Sequence, residues 1–151
     1  MRPLRPGRAP VPSPKPLETT MNRIAEFNAE ANAVTDREHE EQLRLLQALS
    51  DAVERQAAAS EVASMLEALI SYSEAHFMSE ELLMRMKSYD DYEDHQDDHV
   101  NMLTSMQFMA VAHEAGHTAL IPGKVHDVLN FITLHIATRD KRLADYLRLG
   151  N

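Results

Sequence analysis

Four stretches of this chain place apolar side chains at alternating separations of three and four residues, and that spacing limits what the chain can fold into. On a helix the pattern makes one continuous stripe that must be buried against another element. The first stripe runs His39, Leu43, Leu46, Ser50, Val53, with Gln42, Leu45 and Leu49 beside it. The second runs Val62, Met65, Leu69, Tyr72, His76, Glu80, Leu83. The third runs His95, His99, Met102, Met106, Met109 or Ala110, His113. The fourth runs Val125, Val128, Ile132, His135, with Leu143 and Leu147 further on. The predicted helices span about 36–57, 60–87, 91–115 and 124–147, and short connections make an all-α, up-down-up-down four-helix bundle the simplest packing. Thr35-Asp36-Arg37-Glu38 has the form of a capping box and marks the expected start of the first helix. Ser60 is the expected N-cap of the second helix, Asp90 or Asp91 that of the third, and Gly116 its end. Pro122 and Gly123 are read as loop.

With 151 residues, the chain suffices for one domain with one core. Residues 1 to 17 hold six of the seven prolines, four basic residues and no acids, so residues 1–20 are expected to be a disordered, Pro-rich, basic tail and 21–151 the domain. Met21 offers an alternative start, and Ile24 and Phe27 are the expected anchors of the polar stretch before the first helix. No apolar run is long enough for a membrane span, and no secretory signal follows the basic start. Cysteine is absent, which removes thiolate ligands and fits a cytoplasmic protein. The net charge of −9 argues against nucleic acid as the main partner.

The stripes are not purely apolar. His76 and Glu80 are four apart, as are His95 and His99, so each pair lies on one helix face and in the core register. A carboxylate there is costly unless paired or bound to metal, and imidazole with carboxylate suits iron, zinc or manganese. In an up-down-up-down bundle His39, His76, Glu80, His95, His99, His135 and Asp140 all fall near one end. Asp140 fits least well: five residues from His135, it lies roughly 140° away around an ideal helix. It must reach in from a flank, or the helix must bend; an exposed ion pair with Lys141 or Arg139 is the plain alternative. His113-Glu114-Ala115-Gly116-His117 has the zinc-protease spacing. We reject it because Gly116 interrupts the helix, His126 is a poor third ligand, and the motif lies at the other end of the bundle. A ferritin-like carboxylate site, which needs two Glu-x-x-His motifs and further Glu ligands, is disfavoured: the single such spacing, Glu114-x-x-His117, falls in the rejected motif, and the candidate set is rich in His.

The set His39, His76-Phe77-x-x-Glu80-Glu81, His95-x-x-x-His99 and His135-x-x-x-x-Asp140 resembles hemerythrins, specifically the bacterial hemerythrin-like proteins, over about 36–147. The resemblance implies two iron ions with an oxo or hydroxo bridge. His95, His99 and His135 would hold one, His39 and His76 the other, and Glu80 and Asp140 would bridge them. It implies a dioxygen site at the vacancy beside the two-histidine iron. Phe77, Phe131, Ile132 and Ile136 are positioned to line an apolar pocket there, and all four serve equally as ordinary core. Tyr89 matches a family tyrosine expected to act as an outer hydrogen-bond donor. The family's usual tryptophans are missing; Phe131 stands near one of their positions. A complete ligand set without a positioned catalytic acid or cleft leads us to expect a reversible oxygen carrier, store or sensor, not an enzyme. The alternatives are an iron- or oxygen-responsive regulatory module with an unknown protein partner, and a di-iron oxidase or peroxidase.

Overall fold

The computed structural model describes residue 7, residues 9–12 and residues 16–151. Of the expected tail, residues 1–6, 8 and 13–15 lie outside the described residues, 7 and 9–12 carry no regular secondary structure, and 16–20, against expectation, already belong to the first helix. Helix α1 spans Pro16–Glu54, α2 Ala59–Met86 and α3 Tyr92–Glu114. A 3-10 turn, Thr118–Leu120, leads into α4, Ile121–His135. A π-helical turn, Ile136–Asp140, carries α4 directly into α5, Lys141–Arg148, so the two make one fourth rod. No strand occurs among the described residues. Helix α1 packs on α2, α2 on α3, α3 on α4 and α4 on α1. Short connections make sequence neighbours antiparallel, and the chain forms the expected all-α bundle. No helix among the described residues is long and apolar enough to cross a membrane.

Several expected boundaries move. Helix α1 begins at Pro16, not near residue 36, and the Thr35–Glu38 box lies inside it. Proline is tolerated in a first turn, and Ala25, Ala29, Ala31 and Ala33 favour continuation. The extension is anchored by Asn28 more than by Phe27. Buried Asn28 donates from Nδ2 to the carbonyls of Leu147 and Asn151, both at 3.0 Å. Phe27 stays 47% exposed, with the Lys87 ammonium 5.2 Å from its ring centre. Helix α2 follows Ala58, so Ser60 sits in the first turn and is not the cap. Pro122 and Gly123 lie in the first turn of α4, the place where a proline costs no hydrogen bond. Gly116 does end α3: at φ +83° it lets His117 N–H reach the Ala112 carbonyl at 2.8 Å and its own N–H reach His113 at 3.1 Å.

The stripes bury their apolar members in two clusters. The larger holds Leu46, Leu49, Leu69, Met102, Met106, Met109, Ile121, Val125 and neighbours. The smaller holds Leu83, Met84, Tyr89, Leu143 and Leu147. His39 through Asp140 lie between the two along every helix. The polar residues are therefore not at the bundle tip, as expected, but one layer inside it, because α1 and α5 extend past them.

Candidate metal centre

Each helix contributes to the centre by its own periodicity. His76 and Glu80 stack at i, i+4 on α2, and His95 and His99 do so on α3. His39 comes from the middle of α1. The fourth rod resolves the five-residue spacing by adding a residue to one turn. The Lys141 N–H bonds to the Ile136 carbonyl, five residues back, and this π turn puts His135 and Asp140 on one face. Thr138 Oγ1 donates to the Leu134 carbonyl at 2.7 Å, supplying a partner within the bent ladder. The structure thus brings all seven ligand candidates together, and all seven are buried.

Ligating atoms of Glu80, His95, His99, His135 and Asp140 lie within 4.8 Å of one another, as do those of His39, His76 and Glu80. The two carboxylates are divided between these groups. Glu80 Oε1 meets His95 Nε2 in a very short contact and His99 Nε2 at 3.3 Å, while its Oε2 faces His76 at 3.3 Å and His39 at 3.9 Å. Asp140 Oδ1 lies 3.0 Å from both His95 and His135, while its Oδ2 lies 2.9 Å from His39. All five imidazoles present Nε2 inward.

The outward nitrogens show a pattern the sequence did not reveal. His135 Nδ1 donates to Asp98 at 2.8 Å, and His99 Nδ1 donates to Glu81 at 3.4 Å. His76 Nδ1 lies 3.4 Å from Glu38. Each acid adjoins a ligand candidate on its own helix and reaches the histidine of the next helix: α1 to α2, α2 to α3, α3 to α4. A neighbour one residue along a helix points about 100° away, toward the adjacent helix. That was the available signal. An ionised carboxylate can only accept, so Asp98 and Glu81 fix Nδ1–H and leave Nε2 as a lone-pair donor. Arg139 braces Asp98 through Nε at 3.3 Å and Asp91 through its Nη1 at 3.2 Å.

Electrostatics mark the centre as built for cations. Burial works against ionising Asp140, but His135, His39 and His95 outweigh it and hold the carboxyl far below its usual range. Burial also opposes ionisation of Glu80, and His95 and His99 again prevail. Burial lowers His95, yet Asp140 and Glu80 push it up to about 9. Burial lowers His76. Eight buried atoms of the seven ligand candidates find no hydrogen-bond partner within the described residues; two, His76 Nδ1 and His95 Nδ1, face outward, and six face the centre: His39 Nε2, Glu80 Oε2, His99 Nε2, His135 Nε2 and both Asp140 oxygens. Unpaired buried polar atoms are costly, and a cation at the point they share satisfies them together. The donor set fits a bound metal.

The other candidates are placed differently. Phe77 is buried, stacked on His99 at 4.2 Å between ring centres and tilted against His76 at 5.5 Å. Ile132 is core, and Ile136 packs beside it. Phe131 is 38% exposed on the outer seam of α3 and α4, near Asn101 and Ser105, because its position faces away from the buried stripe. Tyr89 sits in the smaller cluster, its hydroxyl buried without a partner among the described residues, so the expected donor role has no acceptor. His113 is tied to Ala59 O at 2.8 Å and Thr118 Oγ1 at 2.7 Å, a clasp between helix ends and not a metal site.

No curated protein and no solved structure matches the chain. The family model described as the hemerythrin HHE cation binding domain matches residues 31–147, which includes every residue of the centre. Buried, divided carboxylates and five inward imidazoles are what a cation-binding bundle requires, and the chain belongs to the hemerythrin HHE cation-binding domain family.

Proposed function

We propose that this centre holds two iron ions and that the protein binds dioxygen reversibly, as a carrier, store or sensor without turnover. The observation supporting a pair of ions is the division of Glu80 and Asp140. Each acid turns one oxygen to the group of His95, His99 and His135 and the other to the group containing His39. One ion would engage only one side of each acid. His95, His99 and His135 would hold one ion, His39 and His76 the other, and Glu80 and Asp140 both. Nitrogen and hard oxygen without thiolate suit iron. Iron bound there would supply reversible electron transfer to dioxygen.

The chain's own residues support binding over turnover. The side with His39 and His76 has one imidazole fewer, which leaves room for a ligand there. Phe77 presses on both His76 and His99 and keeps water from the space between them. The cytoplasm is the proposed compartment. Metal analysis followed by anaerobic reduction and oxygen titration tests the reading. The expected result is about two irons per chain, as the nitrogen and oxygen donors imply, and an optical change that oxygen produces and its removal reverses. One zinc per chain with no oxygen-dependent spectrum overturns it.

A further inference from the structure

Between α1 and the C-terminal half of α2 lies a cavity of about 300 Å³, open to solvent on one side. Its walls are Phe27, Ala31 and Val34 from α1 and Leu82, Leu83 and Met86 from α2, and its inner end is formed by His76, Glu80 and Glu38. The α1 wall belongs to the part of that helix before residue 36, where the sequence predicts no helix and hence no cleft.

Size separates this cavity from a dioxygen pocket. A water molecule's share of liquid volume is about 30 Å³, and dioxygen needs little more. An apolar cavity of about 150 Å³ accepts benzene, and sites for small organic molecules begin near 300 Å³. We propose that this cavity is a binding site for a small, uncharged aromatic molecule carrying a hydroxyl. The ring lies among Phe27, Val34 and Leu82, and the hydroxyl donates to Glu38 at the inner end. No lysine or arginine lines the cavity, while Glu30, Glu38 and Glu80 all do, which disfavours an anionic ligand. At the rim Glu30 is shared with Arg37 at 3.6 Å; at the inner end Glu38 turns Oε2 to His76 Nδ1 at 3.4 Å, and its other oxygen is the acceptor for the ligand. The cavity is formed by protein atoms alone. His76 and Glu80 at its inner end are shared with the metal centre, but Phe27, Ala31, Val34 and Leu82 are not, so filling variants on α1 test ligand binding apart from metal and oxygen binding.

The test uses the full chain as purified, with benzyl alcohol, toluene and benzoate as probes in ligand-detected saturation-transfer NMR. Benzyl alcohol is expected to bind with a dissociation constant on the order of 1 mM, fitting so few heavy atoms. Toluene is expected to bind more weakly and benzoate not at all. Ala31→Phe fills the cavity and should weaken benzyl alcohol about tenfold or more, with metal content and helical circular dichroism unchanged. Val34→Phe is the second filling variant, should Ala31→Phe disturb the fold. Absence of benzyl alcohol binding, toluene or benzoate binding as tightly as benzyl alcohol, or unchanged affinity in a folded filling variant overturns the proposal.

Discussion

The two apolar clusters flank the same metal centre and are built on different terms. The larger is held mainly by apolar packing: among the described residues it has thirteen buried side chains, nearly all Leu, Met, Val or Ile, with the buried bond from Gln42 Nε2 to Ser73 Oγ at 2.9 Å beside it. The smaller has five and is held by named hydrogen bonds. Asn28 grips two C-terminal carbonyls, Tyr146 donates to the Lys87 carbonyl at 2.7 Å, and Asn151 donates to the Tyr146 carbonyl at 2.7 Å. Tyr89 and Tyr146 meet edge to face at 5.0 Å. A fully buried Leu or Met contributes roughly 1.5–3 kcal/mol, so the larger cluster sustains the bundle and the smaller closes it. Metal-free protein should therefore open from the smaller side first.

The sharpest way to break the comparison is to remove what lies between the clusters. Glu80→Ala deletes a carboxylate shared by both ligand groups and should abolish most metal binding while the helical spectrum persists. His113→Ala, at the far end, should leave metal content unchanged by elemental analysis. Next in size, Met106→Ala opens a hole in the larger cluster and should cost about 2–5 kcal/mol in denaturant unfolding, with metal stoichiometry retained. Asn28→Ala attacks the smaller cluster and should cost about 1 kcal/mol. Its signature is local: faster amide exchange over 141–151, with the exchange of α3 unchanged.

The smallest effect belongs to Tyr89. Burial pushes its phenol up to about 12, so the unfolded chain ionises first. The stabilisation is complete below about pH 10 and is lost as pH rises from there toward 12. Spectrophotometric titration should show one tyrosine ionising late, and Tyr89→Phe should remove that step. At neutral pH the substitution should change stability by less than about 1 kcal/mol, since the hydroxyl has no partner to lose.

How much of this was legible can be read from particular residues. The gathering of seven ligand candidates is legible because i, i+4 spacing and the core register coincide at His76, Glu80, His95 and His99, and the bundle topology brings in the rest. The length of α1 was not visible. The Thr35–Glu38 box is a genuine local signal, but the clasp from Asn28 to the C-terminus lies 119 residues away in sequence and overrides it. The pairing of acids with histidines on neighbouring helices was also hidden, because it depends on which helix stands next to which. Phe131 adjoins the buried Ile132 in sequence but faces the outer seam of α3 and α4, and one-residue steps on a helix do not show which face is turned inward.

The π turn has one more consequence. Val128, Ile132 and His135 keep one heptad count, while Asp140, Leu143 and Leu147 keep another, displaced by a single position. The fourth rod is thus written in two phases, and the five residues from Ile136 to Asp140 are the splice between them. Straightening that splice would rotate everything beyond it by about 100°. Asp140 and the smaller cluster's Leu143 and Leu147 would turn away together, so the geometry of the centre and its closure are governed by the same local irregularity.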